Sequence, residues 1–264
     1  MFVMCENVLF GKTCFVSSFK SFTRKASDFV KRSKSRKSVY ETVMSTIENG
    51  NHKKFTICVE GNIASGKTTF LEYFNNTPNV EIVAEPVSRW RNIKGQNALA
   101  KLYEDPTRWS LTLQTYVQLT MLQNHVKPQE KQIKLMERSI YSAKYCFVEN
   151  LHSSGKMPDL EYEVLTAWFD WIIDYHKLPL DLIVYLQTKP ETVHERIKKR
   201  QRKEEQSIPI DYLQALHDLH EDWLIKQTKF TLPAKVLVLD ANNDLEQMHQ
   251  VFEENRGKIM CKNG

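Results

Sequence analysis

Directly after the β-branched and apolar run Phe55–Glu60, the chain reads Gly61-Asn62-Ile63-Ala64-Ser65-Gly66-Lys67-Thr68. This G-x-x-x-x-G-K-[ST] spacing limits the possible folds more than any other segment, because it works only between a strand and a helix. The glycines let successive backbone N–H groups curl round one anion, and the following helix adds its positive end. In that setting Lys67 reaches the β- and γ-phosphates of a nucleoside triphosphate, and Thr68 ligates Mg²⁺.

Such a loop needs a parallel sheet behind it, and the remaining pattern supplies one. Val80–Ala84, Lys134–Glu137, Leu182–Leu186 and Lys235–Asp240 read as further strands. Leu182–Leu186 and Val236–Leu239 are apolar throughout, as strands buried on both faces require. Stretches 95–104, 108–126, 141–153, 161–176, 190–203, 209–227 and 244–257 have helical spacing and length. Alternating β and α predicts an α/β fold: a three-layer α/β/α arrangement on a five-stranded parallel sheet, with ligands beyond the carboxyl ends of the strands.

The loop alone leaves the chemistry open. No Asn-Lys-x-Asp is present to read guanine, and no Asp is followed by Gly three residues on, so a GTPase is disfavoured. Asp240 imitates the carboxylate of a motor ATPase but, ending the last strand, reads better as a turn or helix cap. The second strand ends in Glu85-Pro86, with Trp90 just beyond, and the third in Glu137-Arg138-Ser139. Phosphoryl transfer needs a group that takes the acceptor's proton, and Glu85 is the natural general base. Glu137 and Arg138 suit the Mg²⁺ water shell and the charge round the transferred group.

Gly61–Thr69, Glu85-Pro86 with Trp90, Leu113-Gln114-Thr115-Tyr116 and Glu137-Arg138-Ser139 occur in order and at fitting spacing. Together they resemble the deoxyribonucleoside kinase family over about 53–258. The resemblance implies that Asn62, Ile63, Ala64, Ser65, Gly66 and Thr69 join Gly61, Lys67 and Thr68 round ATP. It implies Glu85 as base on the substrate 5′-OH, with Arg138 beside that hydroxyl and the phosphates. Gln114 would bond a pyrimidine edge, Phe147 would stack on the base, and Trp90 would close the pocket. Tyr103 and Glu205 match the pair that holds the sugar 3′-OH. Met121 and Ala143 stand where purine- and deoxycytidine-preferring relatives carry an Arg and an Asp, which leaves an apolar niche for a thymine methyl. The dense run Glu195–Glu205 becomes an Arg-rich lid, with Arg196, Arg200 and Arg202 over the phosphates. The implied activity is Mg·ATP-dependent phosphorylation of thymidine, deoxycytidine and deoxyuridine by a homodimer packed through helices. Thymidylate kinase and deoxyguanosine kinase are the neighbouring alternatives.

Net charge is +5 over 264 residues, which at first suggests a nucleic-acid binder using ATP as a switch. Residues 1–40, however, carry nine basic and two acidic residues, a net of +7 that leaves −2 for the rest. That leader is also rich in serine, with Phe15, Phe19 and Phe22 at helical spacing, so it reads as a mitochondrial transit peptide ahead of a polar linker at 41–53. The catalytic domain is then 54–258 with a tail at 259–264, in the mitochondrial matrix and with no nucleic-acid partner. Five cysteines, at 5, 14, 58, 146 and 261, form no CxxC pair and predict neither a disulfide framework nor a zinc site. No run is long enough for a membrane span. His217 and His220 with Glu221 could mimic metal ligands but are expected on a surface helix.

Overall fold

The computed structural model describes residues 53–260 except Lys203, Glu204 and Gln206. The basic leader, the linker up to His52, and Cys5, Cys14 and Cys261 lie outside the described residues. Five strands form one all-parallel sheet: β1 (Phe55–Glu60), β2 (Val80–Val83), β3 (Ile133–Glu137), β4 (Leu182–Gln187) and β5 (Lys235–Asp240), in the order β2-β3-β1-β4-β5. The helices are α1 (Lys67–Phe74), α2 (Val87–Arg91), α3 (Ala98–Glu104), α4 (Pro106–Val126), α5 (Ile140–Ser142), α6 (Glu149–Ser153), α7 (Asp159–Tyr175), α8 (Pro190–Arg200), α9 (Ile210–Leu224), α10 (Leu245–Glu254) and α11 (Arg256–Ile259). A π-helical stretch, Ala143–Val148, joins α5 to α6.

Strand alternation divides the core into two layers. Ile57, Val59, Leu135, Val184 and Leu186 face one side, where Phe70 and Phe74 of α1 and Phe252 of α10 cover them. Cys58, Met136, Ile183 and Tyr185 face the other, under α4, α7 and α9 through Leu113, Phe169 and Trp223. The expected three layers are therefore present. Cys58 and Cys146 are free and fully buried, and burial pushes both thiols well above the ordinary range.

The sequence reading needs several corrections. β5 is not buried on both faces: among the described residues it is an edge strand, bonded only to β4, and Val238 is exposed. Helix α4 starts at Pro106 rather than 108, because Asp105 caps it by accepting from Arg108 N–H (3.1 Å) and Pro suits a first turn. The stretch from 95 begins as a tight turn, with Lys94 and Gly95 left-handed, and α3 starts only after the Asn97 cap. Helix α8 stops at Arg200, where Gln201 turns left-handed, three residues before the expected end. His220 is not on a surface. It is fully buried with its ring stacked on Tyr185, and burial pushes its pKa down to about 3, which keeps it neutral. Asp240 accepts from Asn242 N–H (3.0 Å) and so caps a turn. Among the described residues no helix is long and apolar enough to cross a membrane.

Lys134 fastens the pocket-bearing helix to the sheet. Its buried Nζ donates to the carbonyls of Asn124 (3.2 Å), His125 (3.1 Å) and Lys127 (2.7 Å), the unpaired C-terminal end of α4. His125 stays neutral, with burial and Lys134 holding its pKa near 4, so its Nε2 accepts from Ile140 N–H (3.2 Å). Lys134→Met removes the ammonium and leaves those carbonyls without it. It should destabilise the fold by about 2 kcal/mol in thermal unfolding; an unchanged melting temperature would refute this role.

Candidate active site

The phosphate loop is built from backbone geometry that only certain residues allow. Gly61 has φ +145°, and a Cβ there would lie 2.8 Å from the carbonyl oxygen of Leu186, so any side chain would clash with β4. Asn62 ties the loop down: its Nδ2 donates to Leu213 O on α9 (2.8 Å), and its Oδ1 accepts from Ile63 N–H (2.8 Å). Lys67, nearly fully buried, donates from Nζ to Asn62 O (2.6 Å) and Gly61 O (3.2 Å), strapping the loop from within. Burial and the adjacent Arg138 push the Lys67 pKa down, while Glu137, Glu85 and Glu60 oppose that shift.

Next to this loop the ends of β2 and β3 bring their acids and Arg138 together. Arg138 Nε lies 3.2 Å from Glu85 Oε1, and the Arg138 guanidinium sits 4.8 Å from the centre of the Phe147 ring. Burial raises the Glu85 pKa, an effect larger than the opposing pull of Arg138. Thr68 Oγ1 donates to Glu137 Oε1 (2.8 Å), pairing two hard oxygen ligands at the start of α1. Among the described residues no group of three or more His, Cys, Asp or Glu could hold a metal ion unaided.

A cavity of about 730 Å³ opens from this point. Lining it are Ile63 through Thr69, Glu85, Trp90, Tyr103, Gln114, Met121, Glu137, Arg138, Ala143, Phe147, Arg196, Arg200, Arg202 and Glu205. Gly61 and Asn62 do not reach the cavity wall and serve the loop from behind. Gln114 is buried rather than solvated, it lines the cavity, and its Oε1 has no hydrogen-bond partner among the described residues. The Trp90 indole is held by its N–H bond to Thr120 Oγ1 (2.9 Å). Met121 and Ala143 are buried in the same wall. Burial raises the Tyr103 phenol well above the usual range, with Tyr212 and Glu205 adding to the effect.

The three arginines Arg196, Arg200 and Arg202 already have partners. Arg196 donates to Asn243 O (2.7 Å), and Arg200 Nε and Arg202 Nη1 both donate to Glu205, at 2.7 and 3.4 Å. Sequence reasoning missed Val87, Leu99, Tyr212 and the patch Asn243, Asp244, Leu245, Met248 and Phe252, all of which also line the cavity. The cluster Asn242-Asn243-Asp244 follows β5 at its carboxyl end, and that position could have flagged the patch. Tyr212 carries no such signal, since an aromatic at helical spacing reads as core.

Comparison with known proteins agrees with this geometry. The chain is 57% identical to human mitochondrial thymidine kinase 2 over 213 residues, covering 81% of this chain and 80% of that protein. It is 38% identical to human deoxycytidine kinase over 228 residues, covering 75% and 88% respectively. The sequence model for deoxynucleoside kinases matches residues 57–262. The chain is a phosphotransferase that belongs to the deoxynucleoside kinase family.

Proposed function

We propose that this enzyme transfers the γ-phosphoryl group of ATP to the 5′-hydroxyl of pyrimidine deoxyribonucleosides: thymidine, deoxycytidine and deoxyuridine. The observation that carries the reading is the unpartnered Gln114 Oε1, buried in a wall that also holds Met121 and Ala143. A Gln amide offers one donor and one acceptor, which match N3 and its neighbouring group on a pyrimidine edge. Turning the amide over serves either cytosine or thymine. The neutral pair Met121 and Ala143 leaves room for a 5-methyl group, and the likeness to thymidine kinase 2 supports the same choice.

In this mechanism the protein aligns and stabilises. The base lies against Phe147 and Trp90, and Tyr103 and Glu205 take the 3′-hydroxyl. Glu85 accepts the 5′-OH proton, and Arg138 keeps that carboxylate oriented while stabilising charge on the transferred group. The N–H groups of the loop from Gly61 to Thr69 cradle the phosphates. The Lys67 ammonium, held against the same loop, meets their negative charge. Arg196, Arg200 and Arg202 close over the triphosphate and exclude water. Thr68 and Glu137, an oxygen pair suited to a hard cation, would hold the Mg²⁺ that arrives with ATP. When bound, that ion neutralises phosphate charge.

The active unit is read as a homodimer. Helix α7 exposes Leu160, Val164, Trp168, Trp171 and Tyr175 along one stripe, and α4 exposes Leu119 and Val126. Such an aromatic surface fits a second copy better than water. The leader, read with the mitochondrial name of thymidine kinase 2, supports action in the mitochondrial matrix on precursors for DNA synthesis.

Phosphorylation of a substrate panel tests the specificity. Thymidine and deoxycytidine should turn over, and deoxyguanosine and thymidine monophosphate should not; exclusive use of either of the latter rejects the reading. Glu85→Gln should lower kcat by roughly a thousandfold while nucleoside still binds. Only the ionised Glu85 is competent, and its pKa is raised. Activity should therefore fall, as pH drops, at a point above the ordinary carboxylate value of about 4.3. A limb at or below that value contradicts the assignment. Trp168→Glu should halve the mass seen in size-exclusion chromatography with light scattering, and an intact dimer would remove α7 from the interface.

A further inference from the structure

Glu60 ends β1, one residue before the phosphate loop, and the mechanism above gives it no task. It is completely buried, and its Oε2 has no hydrogen-bond partner among the described residues. A buried carboxyl is retained at such a position against a strong desolvation penalty, so its contacts should explain it. Its Oε1 accepts from Ser139 N–H (2.8 Å) and from the Ser139 hydroxyl (2.6 Å). Ser139 directly follows Arg138.

Arg138 has φ +61°, the left-handed region that a non-glycine residue occupies only when its surroundings hold it there. The hold comes from both sides. Arg138 N–H donates to Val59 O (3.0 Å), and the next residue is clamped to Glu60. Two consecutive residues of β1 thus fix the turn that ends β3. The left-handed step redirects Arg138 out of the strand, to lie beside Glu85 and over Phe147. Ser139 also caps α5, accepting from Ser142 N–H (3.5 Å), and so fixes the start of the segment that runs on into the π-helical stretch with Ala143 and Phe147.

We infer that Glu60 is a positioning residue whose buried carboxyl pins the Glu137-Arg138-Ser139 turn and so aims Arg138 at Glu85 and the transferred phosphoryl group. The inference deepens the proposed phosphoryl transfer and rests on it. Burial pushes the Glu60 carboxyl above its usual range, which agrees with an acceptor role that needs no negative charge.

Glu60→Gln and Glu60→Ala, in the full chain, separate positioning from bulk stability. Glutamine keeps an oxygen able to accept both Ser139 donors, so its kcat should stay within about threefold of the parent. Alanine releases the turn. Its kcat should fall by roughly a hundredfold, as for a catalytic group displaced by about 1 Å. The thymidine KM should change by less than about threefold, because Arg138 acts mainly in the transition state. Hydrogen–deuterium exchange at residues 138–142 should speed up in the alanine variant only. If Glu60→Ala fails to fold, Ser139→Ala deletes one of the two pinning donors; it should lower kcat about tenfold while circular dichroism still shows a folded chain with a lowered melting temperature. Parental kcat in the alanine variant, equal loss in both Glu60 variants, or unchanged kcat in Ser139→Ala would overturn the pin. A parent chain inactive on every deoxyribonucleoside would instead sink the proposed function, and the exchange comparison would still judge the pin.

Discussion

Charge balance in a crevice with little water is the constraint on which the rest of the structure depends. Glu60, Glu85 and Glu137 converge there with Lys67 and Arg138. Ions taken out of water are tolerated only when each finds a partner or a dense set of hydrogen bonds. Arg138 is the shared cation, touching Glu85 directly and partly offsetting the burial that raises the Glu60 pKa. Lys67 draws on carbonyls of its own loop, and Glu137 takes a hydroxyl from Thr68. The site therefore stands assembled before any phosphate arrives, and an incoming triphosphate adds negative charge where two cations are already oriented.

Parallel strand order is what brings these groups together. β1 lies between β3 and β4, so its carboxyl end, where the phosphate loop begins, adjoins the turn after β3. Crossover helices on both faces bury the sheet and leave its carboxyl edge as the available crevice. Helix α4 then reaches across the opening, and its Gln114 and Met121 form the wall against which a base can lie.

The phosphate loop, Glu85 and the Glu137-Arg138 pair were legible in the sequence because chemical type and strand end coincide at each. Trp90, Tyr103, Phe147, Met121 and Ala143 were not legible in that way. An aromatic or a methionine at helical spacing looks the same whether it faces a core or a ligand, so only the family resemblance singled them out. Helix α2, five residues long, is too short for any periodicity. His220 was misread because a histidine on an amphipathic helix counts as polar, yet a neutral ring can stack inside a core. Glu60 was invisible for a related reason: in sequence it is one carboxylate at the end of a strand, and its burial is known only from the fold. The buried state of Gln114 was equally hidden, although its role came through the resemblance.

The π-helical stretch Ala143–Val148 decides which side chains line the cavity at Ala143 and Phe147. Lys144 and Glu149 form a buried ion pair (2.5 Å) that spans five residues, the repeat of π rather than α hydrogen bonding. Tyr162 and Lys229 brace the same carboxylate from outside the segment. A regular α-helix advances about 100° per residue, so removing one residue here would let the segment rewind and rotate Phe147 away from Ala143. The identity of the pocket wall is thus set by the number of residues in the segment as much as by their chemistry. For this chain a deletion would reshape the cavity more than a conservative substitution at the same place.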